Sequence, residues 1–157
     1  MKGVEFDSSF NPIDALQLRV ATVYLDSKYD SYVGSQFGDL SGKSVGGIPQ
    51  WSTTLGATYT ADLSDGKALI LNTDYHFESN TVMNDDPAAA IYKREVKDLG
   101  AAVTLRFDTG LQFSLWGRNL TNAQYLSVIF PSVVQSGSIS GYPNAPRTYG
   151  ASVKYKF

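Results

Sequence analysis

The sequence predicts an all-β fold, an antiparallel transmembrane β-barrel represented by about seven strands of a larger up-and-down barrel. Three observations carry that expectation. Hydrophobicity alternates with a period of two along run after run. The connections between runs alternate short and long. Aromatic side chains gather toward both ends of the runs. A period of two gives a strand one apolar and one wet face. Long loops at one end and tight turns at the other are the habit of outer-membrane barrels, and soluble sandwiches have no reason to share it.

The runs follow in order. Residues 2–9 alternate, with Val4, Phe6 and Ser8 against Gly3, Glu5, Asp7 and Ser9, and Asn11-Pro12 reads as a turn. From Ala15, Leu16, Leu18, Val20, Thr22 and Tyr24 take one face, Gln17, Arg19 and Ala21 the other. A polar, Gly- and Ser-rich stretch covers roughly 27–47. Trp51, Thr53, Leu55, Ala57, Tyr59 and Ala61 then oppose Ser52, Thr54, Gly56, Thr58 and Thr60, up to a tight turn at 62–66. Leu69, Leu71, Thr73, Tyr75 and Phe77 oppose Ile70, Asn72, Asp74, His76 and Glu78, and a second long polar stretch covers about 79–93. Leu99, Ala101, Val103, Leu105 and Phe107 oppose Gly100, Ala102, Thr104, Arg106 and Asp108. After the turn Asp108-Thr109-Gly110, Leu111, Phe113 and Leu115 oppose Gln112, Ser114, Trp116 and Arg118. A third long stretch, about 127–146, leads to the terminal strand, where Tyr149, Ala151, Val153, Tyr155 and Phe157 share a face.

That makes seven strands, no amphipathic helix, and run lengths near the 9–11 residues that a tilted strand needs to cross a bilayer. Tyr59, Phe107, Phe113, Tyr155 and Phe157 fall toward the short turns. Tyr24, Trp51, Phe77, Tyr125 and Tyr149 fall toward the long loops, as two interfacial girdles would. The second face, with Arg19, Asn72, Asp74, Glu78, Arg106, Arg118 and Lys154, suits a wet lumen and would make a poor soluble core.

Composition narrows the function. The 157 residues suit one domain, and a net charge of −2 leaves no basic footprint for nucleic acid. With no Cys and a single His, thiolate chemistry and His-based metal clusters are excluded. No run of 18 apolar residues suggests a spanning helix, and no charged-then-apolar export signal opens the chain.

At Gly117-Arg118-Asn119-Leu120-Thr121-Asn122 with Tyr125, and again at Ala145-Pro146-Arg147-Thr148-Tyr149-Gly150 through Phe157, the sequence resembles the C-terminal end of the TonB-dependent outer-membrane receptors. Lys2-Gly3-Val4-Glu5 and the stretch from Leu40-Ser41-Gly42-Lys43 to Pro49-Gln50-Trp51-Ser52 are similar to earlier strands of that family. The resemblance covers residues 1–157 as the C-terminal part of such a barrel and leaves the family's plug domain and TonB-contacting box outside it. It implies a bacterial outer-membrane location and uptake of a scarce nutrient, of siderophore, cobalamin or glycan class. The implied partners are outer-membrane lipid, the barrel-assembly machinery, the ligand, and the TonB system only through the plug. It implies no enzyme activity, no cofactor, and a chain that does not transport alone. Tyr155 and Phe157 become the barrel-assembly signal. Tyr29, Tyr32, Tyr92 and Tyr142, in or beside the long stretches, become candidate extracellular ligand contacts.

The remaining motifs have plainer readings. Gly42-Lys43-Ser44 lacks both the glycine spacing and the following helix of a phosphate loop. Asp85-Asp86 lacks the ligand count calcium needs and reads as solvated loop charge. Asp74, His76 and Glu78 share a face without an accompanying nucleophile, and read as lumen lining. Asn119-Leu120-Thr121 matches a glycosylation acceptor by coincidence, and Trp116 points with the polar set. Two alternatives stand beside the receptor reading. One is a small standalone outer-membrane barrel that binds or anchors, self-associating through open edges. The other is a soluble lipocalin-type barrel with the apolar face turned inward.

Overall fold

The computed structural model describes residues 1–135 and 137–157. Its strands are β1 (Lys2–Ile13), β2 (Leu16–Asp26), β3 (Trp51–Leu63), β4 (Lys67–Val82), β5 (Lys93–Phe107), β6 (Leu111–Arg118), β7 (Leu126–Pro131), β8 (Ile139–Pro143) and β9 (Thr148–Tyr155). Seven of them form one sheet in the order β1-β2-β3-β4-β5-β6-β9, while β7 and β8 pair separately. Every neighbouring pair is antiparallel. The sheet is open, because β1 and β9 each have a neighbour on one side alone.

Register carries the period-two pattern across all seven strands. Ile13 stands opposite Leu16, Leu16 opposite Tyr59, Tyr59 opposite Leu71, Leu71 opposite Val103, Val103 opposite Leu115, and Leu115 opposite Ala151. A slip of one residue in any pair would turn that strand's apolar set to the wrong side. Tyr24 and Trp51 meet at 4.9 Å at the loop end of this face, and Phe107 and Phe113 meet at 6.1 Å at the turn end.

Among the described residues nothing covers the apolar face. Leu55 and Val103 are each 46% exposed and Leu115 is 67% exposed. Among the described residues, the buried hydrophobics are Leu40, Ala89 and Ile129 in the loop region, with Ala68 and Val96 on the polar side of the sheet. Leaving a leucine side chain in water forfeits about 1.5–3 kcal/mol. A face of this extent therefore calls for an apolar surrounding.

On the polar face, large side chains lean onto glycines of the next strand. The Arg19 guanidinium lies over Gly56, the Asp74 carboxylate over Gly100, and the Trp116 ring over Gly150. Each glycine leaves the space that a Cβ would fill.

The short connections at 64–66 and 108–110 fall where expected. Asp65 and Gly66 take φ 61° and 65°, the left-handed pair that reverses a strand in step with its twist. Gly110, at φ 87°, brings its α-carbon against the Lys156 carbonyl.

Three expectations need correction. The chain turns at residues 14–15 rather than at Asn11-Pro12, which belongs to β1. Pro12 is accommodated because β1 is an edge strand and its register shifts between Phe10 and Ile13. The second polar stretch is trimmed at both ends, since β4 runs to Val82 and β5 begins at Lys93, paired through Thr81–Arg94 and Val82–Lys93, which leaves 83–92 as the loop. The third long stretch contains the β7–β8 hairpin, so the described residues carry nine strands rather than seven. A single 3-10 turn, Pro87–Ala89, stands in the second loop. Among the described residues, no helix is long and apolar enough to cross a membrane.

Candidate functional site

The three long connections, residues 27–50, 83–92 and 119–147, all leave the sheet at one end. The first two are fastened to each other. Asp85 does this with both carboxylate oxygens: one accepts from the Gly46 amide and the other from the Tyr29 hydroxyl, each at 2.7 Å. The Gly47 amide donates to the Val82 carbonyl at 2.8 Å. Gly46 lies so close to the Asn84 backbone that a Cβ would collide with it. The hydrogen bond to Asp85 raises the Tyr29 phenol above its ordinary value, with burial and the carboxylate's charge acting the same way. Leu40 and Ala89, among the few fully buried apolar residues, form small cores within these two loops.

Between the loops lies a cleft of about 450 Å³. Leu40, Val45 and Ile48 give it an apolar strip, and Gln50, Asn80 and Ser44 give it amide and hydroxyl groups. Asp86 lines it as well, but its side chain accepts from the Ala88 amide at 2.9 Å and so caps the 3-10 turn that Pro87 opens. The Asp85-Asp86 pair is thus structural, where the sequence suggested free solvated charge. An acidic residue followed by proline at a turn start was the available signal for Asp86. Nothing local could have signalled Asp85, whose partners lie 39 and 56 residues away.

A second polar cluster lines the sheet below. His76 stands between the Thr54 hydroxyl at 3.0 Å and Glu78 at 3.3 Å. Glu78 pairs with Arg94 at 2.7 Å, and Arg94 donates to the Ser127 carbonyl of β7 at 3.3 Å. Burial lifts the Tyr125 phenol, with the nearby Asp98 and Glu78 carboxylates adding to the rise and Arg94 opposing it. Next to the cluster, Asp74, His76, Asp98, Trp116 and Arg118 line a hollow of about 560 Å³. The Arg118 guanidinium sits 5.1 Å over the Trp116 ring. Arg94, which joins sheet and hairpin, escaped the sequence because it fell between the polar stretch read as 79–93 and the alternation read from Leu99. Among the described residues no group of three or more His, Asp or Glu is placed to hold a metal.

The third connection is built on two asparagines. The Asn119 side-chain amide donates to the Ala123 and Ala145 carbonyls, both at 3.0 Å, and its oxygen accepts from the Ala123 amide at 2.8 Å. The Asn144 amide group donates to the same two carbonyls at 2.9 and 3.0 Å. Thr121 donates to the Lys97 carbonyl at 2.6 Å. The Asn-Leu-Thr-Asn segment is therefore a closed hydrogen-bond clamp, with Asn119 buried and its amide occupied.

The tyrosines singled out in the sequence separate into two places. Tyr29 and Tyr32 stack at 5.0 Å in the first loop, and Tyr92 is half-buried in the second. Tyr142 stands apart on β8, exposed, against Phe130 of β7 at 5.6 Å. None of the four lines the cleft. At the opposite end of the molecule, Tyr155 and Phe157 are exposed, with ring centres 6.4 Å apart.

No protein-family model matches the chain, and no curated protein sequence matches it. Among solved structures, the crystal structure of BauA, the ferric preacinetobactin receptor from Acinetobacter baumannii, is similar in fold, with a TM-score of 0.66 at 22% identity. That likeness covers 99% of this chain and 22% of BauA, so the chain spans about a fifth of the length of the structure it resembles. What the comparison shows is a shared antiparallel fold.

Proposed function

We propose that the chain forms part of the wall of a TonB-dependent outer-membrane receptor barrel, facing lipid on its apolar side and a wet lumen on its polar side. The observation that carries this reading is the uncovered apolar register running across seven strands, with every long loop at one of its ends. Lipid would give those side chains the apolar surrounding that the chain itself does not supply. The aromatic pairs at the two ends fit interfacial positions. The role is to hold and admit a nutrient at the loop-bearing end and to transform nothing. The fold of a ferric-siderophore receptor supports the receptor class, and the ligand belongs to the siderophore, cobalamin or glycan range.

The test sets two neighbouring positions of β6 against each other in phospholipid vesicles. Leu115→Arg should cost about 2–4 kcal/mol of folding free energy, because it puts a charge on the lipid face. Ser114→Lys, one residue away on the other face, loses the 2.8 Å hydroxyl pair with Thr104 and should cost about 1 kcal/mol. A neutral Leu115→Arg in vesicles would sink the lipid assignment.

A further inference from the structure

Most charged groups of the loop cleft already have partners within the protein. Lys28 pairs with Asp26 at 3.3 Å. Asp85 accepts from the Tyr29 hydroxyl and the Gly46 amide, and Asp86 from the Ala88 amide of its turn. Lys43 lies near Asp39, whose carboxyl is lowered by hydrogen bonds from the Ser41 side chain and backbone and further by the Lys43 charge. The ionisable lining is Asp26, Asp85 and Asp86 against Lys28 and Lys43, with no arginine. A multiply charged anion entering this wall would lose hydration against a net negative surface. It would meet no guanidinium fork to receive its oxygens.

A neutral ligand faces no such penalty. Gln50, Asn80 and Ser44 offer hydrogen bonds, and Val45 and Ile48 offer apolar surface. A molecule with hydroxyls on its edges and C–H groups on its faces satisfies both. The volume of about 450 Å³ lies within the usual span of small-molecule sites. The Asp85 fastening forms the cleft before any ligand arrives, so little ordering opposes binding.

We infer that this cleft binds a neutral, hydroxyl-rich small molecule of disaccharide size and discriminates against multiply charged anions. The inference rests on the receptor reading and names the ligand chemistry for it. The test is backbone amide hydrogen exchange on the whole chain in lipid vesicles. The probes are maltose, cellobiose and sucrose, set against ferric citrate and the ferric complex of 2,3-dihydroxybenzoate. At least one disaccharide should slow exchange at residues 43–48 and 80–86 by about tenfold at saturation, and neither iron complex should. Asn80→Ala and, separately, Gln50→Ala should weaken that protection while sheet amides keep theirs. Protection by an iron complex, or by no disaccharide, overturns the inference. Membrane insertion is read separately in the same samples from protease resistance of the strands. Disaccharide protection in a chain that stays outside the bilayer would overturn the receptor reading and leave the cleft standing. Insertion without protection would do the reverse.

Discussion

Asn119 takes φ 50°, is 3% exposed, and engages both ends of its side-chain amide with backbone on either side of the third loop. A left-handed, buried, fully bonded position leaves asparagine few substitutes. Asn119→Ala should therefore remove about 2–3 kcal/mol of stability, since the Ala123 amide loses its acceptor in a buried setting. Denaturant unfolding in micelles would measure it, and a change under about 0.5 kcal/mol would show that water replaces the clamp. Gly150 makes the opposite point, because here an absent side chain is what matters. A Cβ at 150 would enter the Trp116 ring, so Gly150→Ala should cost about 1–3 kcal/mol and shift Trp116 fluorescence. A larger stability than wild type would mean that the ring has another place to go.

At the scale of elements, the two fastened loops depend on a phenol that stays protonated. The Asp85 contact raises the Tyr29 value, so the protonated phenol is favoured in the folded loops. The contribution is fully present below the ordinary tyrosine value near 10, and it is lost as pH rises through the higher folded value. Amide exchange at Gly46 should accordingly accelerate above pH 10, whereas Tyr29→Phe should be faster at neutral pH and lose that alkaline step. An unchanged alkaline step in Tyr29→Phe would assign it to another group. The elements themselves were unequally legible in the sequence. β3 and β6 show clean alternation because one face is apolar and the other is not. The outer ends of β4 and β5 do not, since Ser79, Asn80 and Thr81 on one strand and Lys93, Arg94 and Glu95 on the other are polar on both faces, and the register shifts between Glu78 and Thr81. Pairing there rests on backbone bonds and on the Glu78–Arg94 contact, neither of which leaves a periodic trace. Pro12 misled for a related reason, because proline marks a turn by default and an edge strand only in context. The cleft was illegible because its walls come from segments far apart in the chain, held together by Asp85 and by the Gly46–Gly47 approach to the second loop.

For the molecule as a whole, one face is matched internally and the other is not. On the polar side, side chains fill the space over glycines and satisfy one another, as Thr58–Asn72 and Thr104–Ser114 do across strands. On the apolar side, Val4, Phe6, Leu55, Leu115 and Val153 find no cover from the chain. In detergent-free buffer the chain should therefore self-associate, and in micelles it should run as one species by light scattering. A stable monomer without detergent would favour a soluble sheet instead.

The strand count has a parity that bears on what can complete the sheet. β1 runs from the loop end, where Lys2 meets Asp26, to the turn end, where Ile13 meets Leu16. β9 also runs from the loop end, at Arg118–Thr148, to the turn end, at Leu111–Tyr155. The two free edges thus point the same way. A tube closed by joining them directly, or by a second copy set in the same orientation, would contain parallel seams in an otherwise antiparallel wall. Keeping every seam antiparallel requires an odd number of intervening strands whose first and last both travel from turn end to loop end.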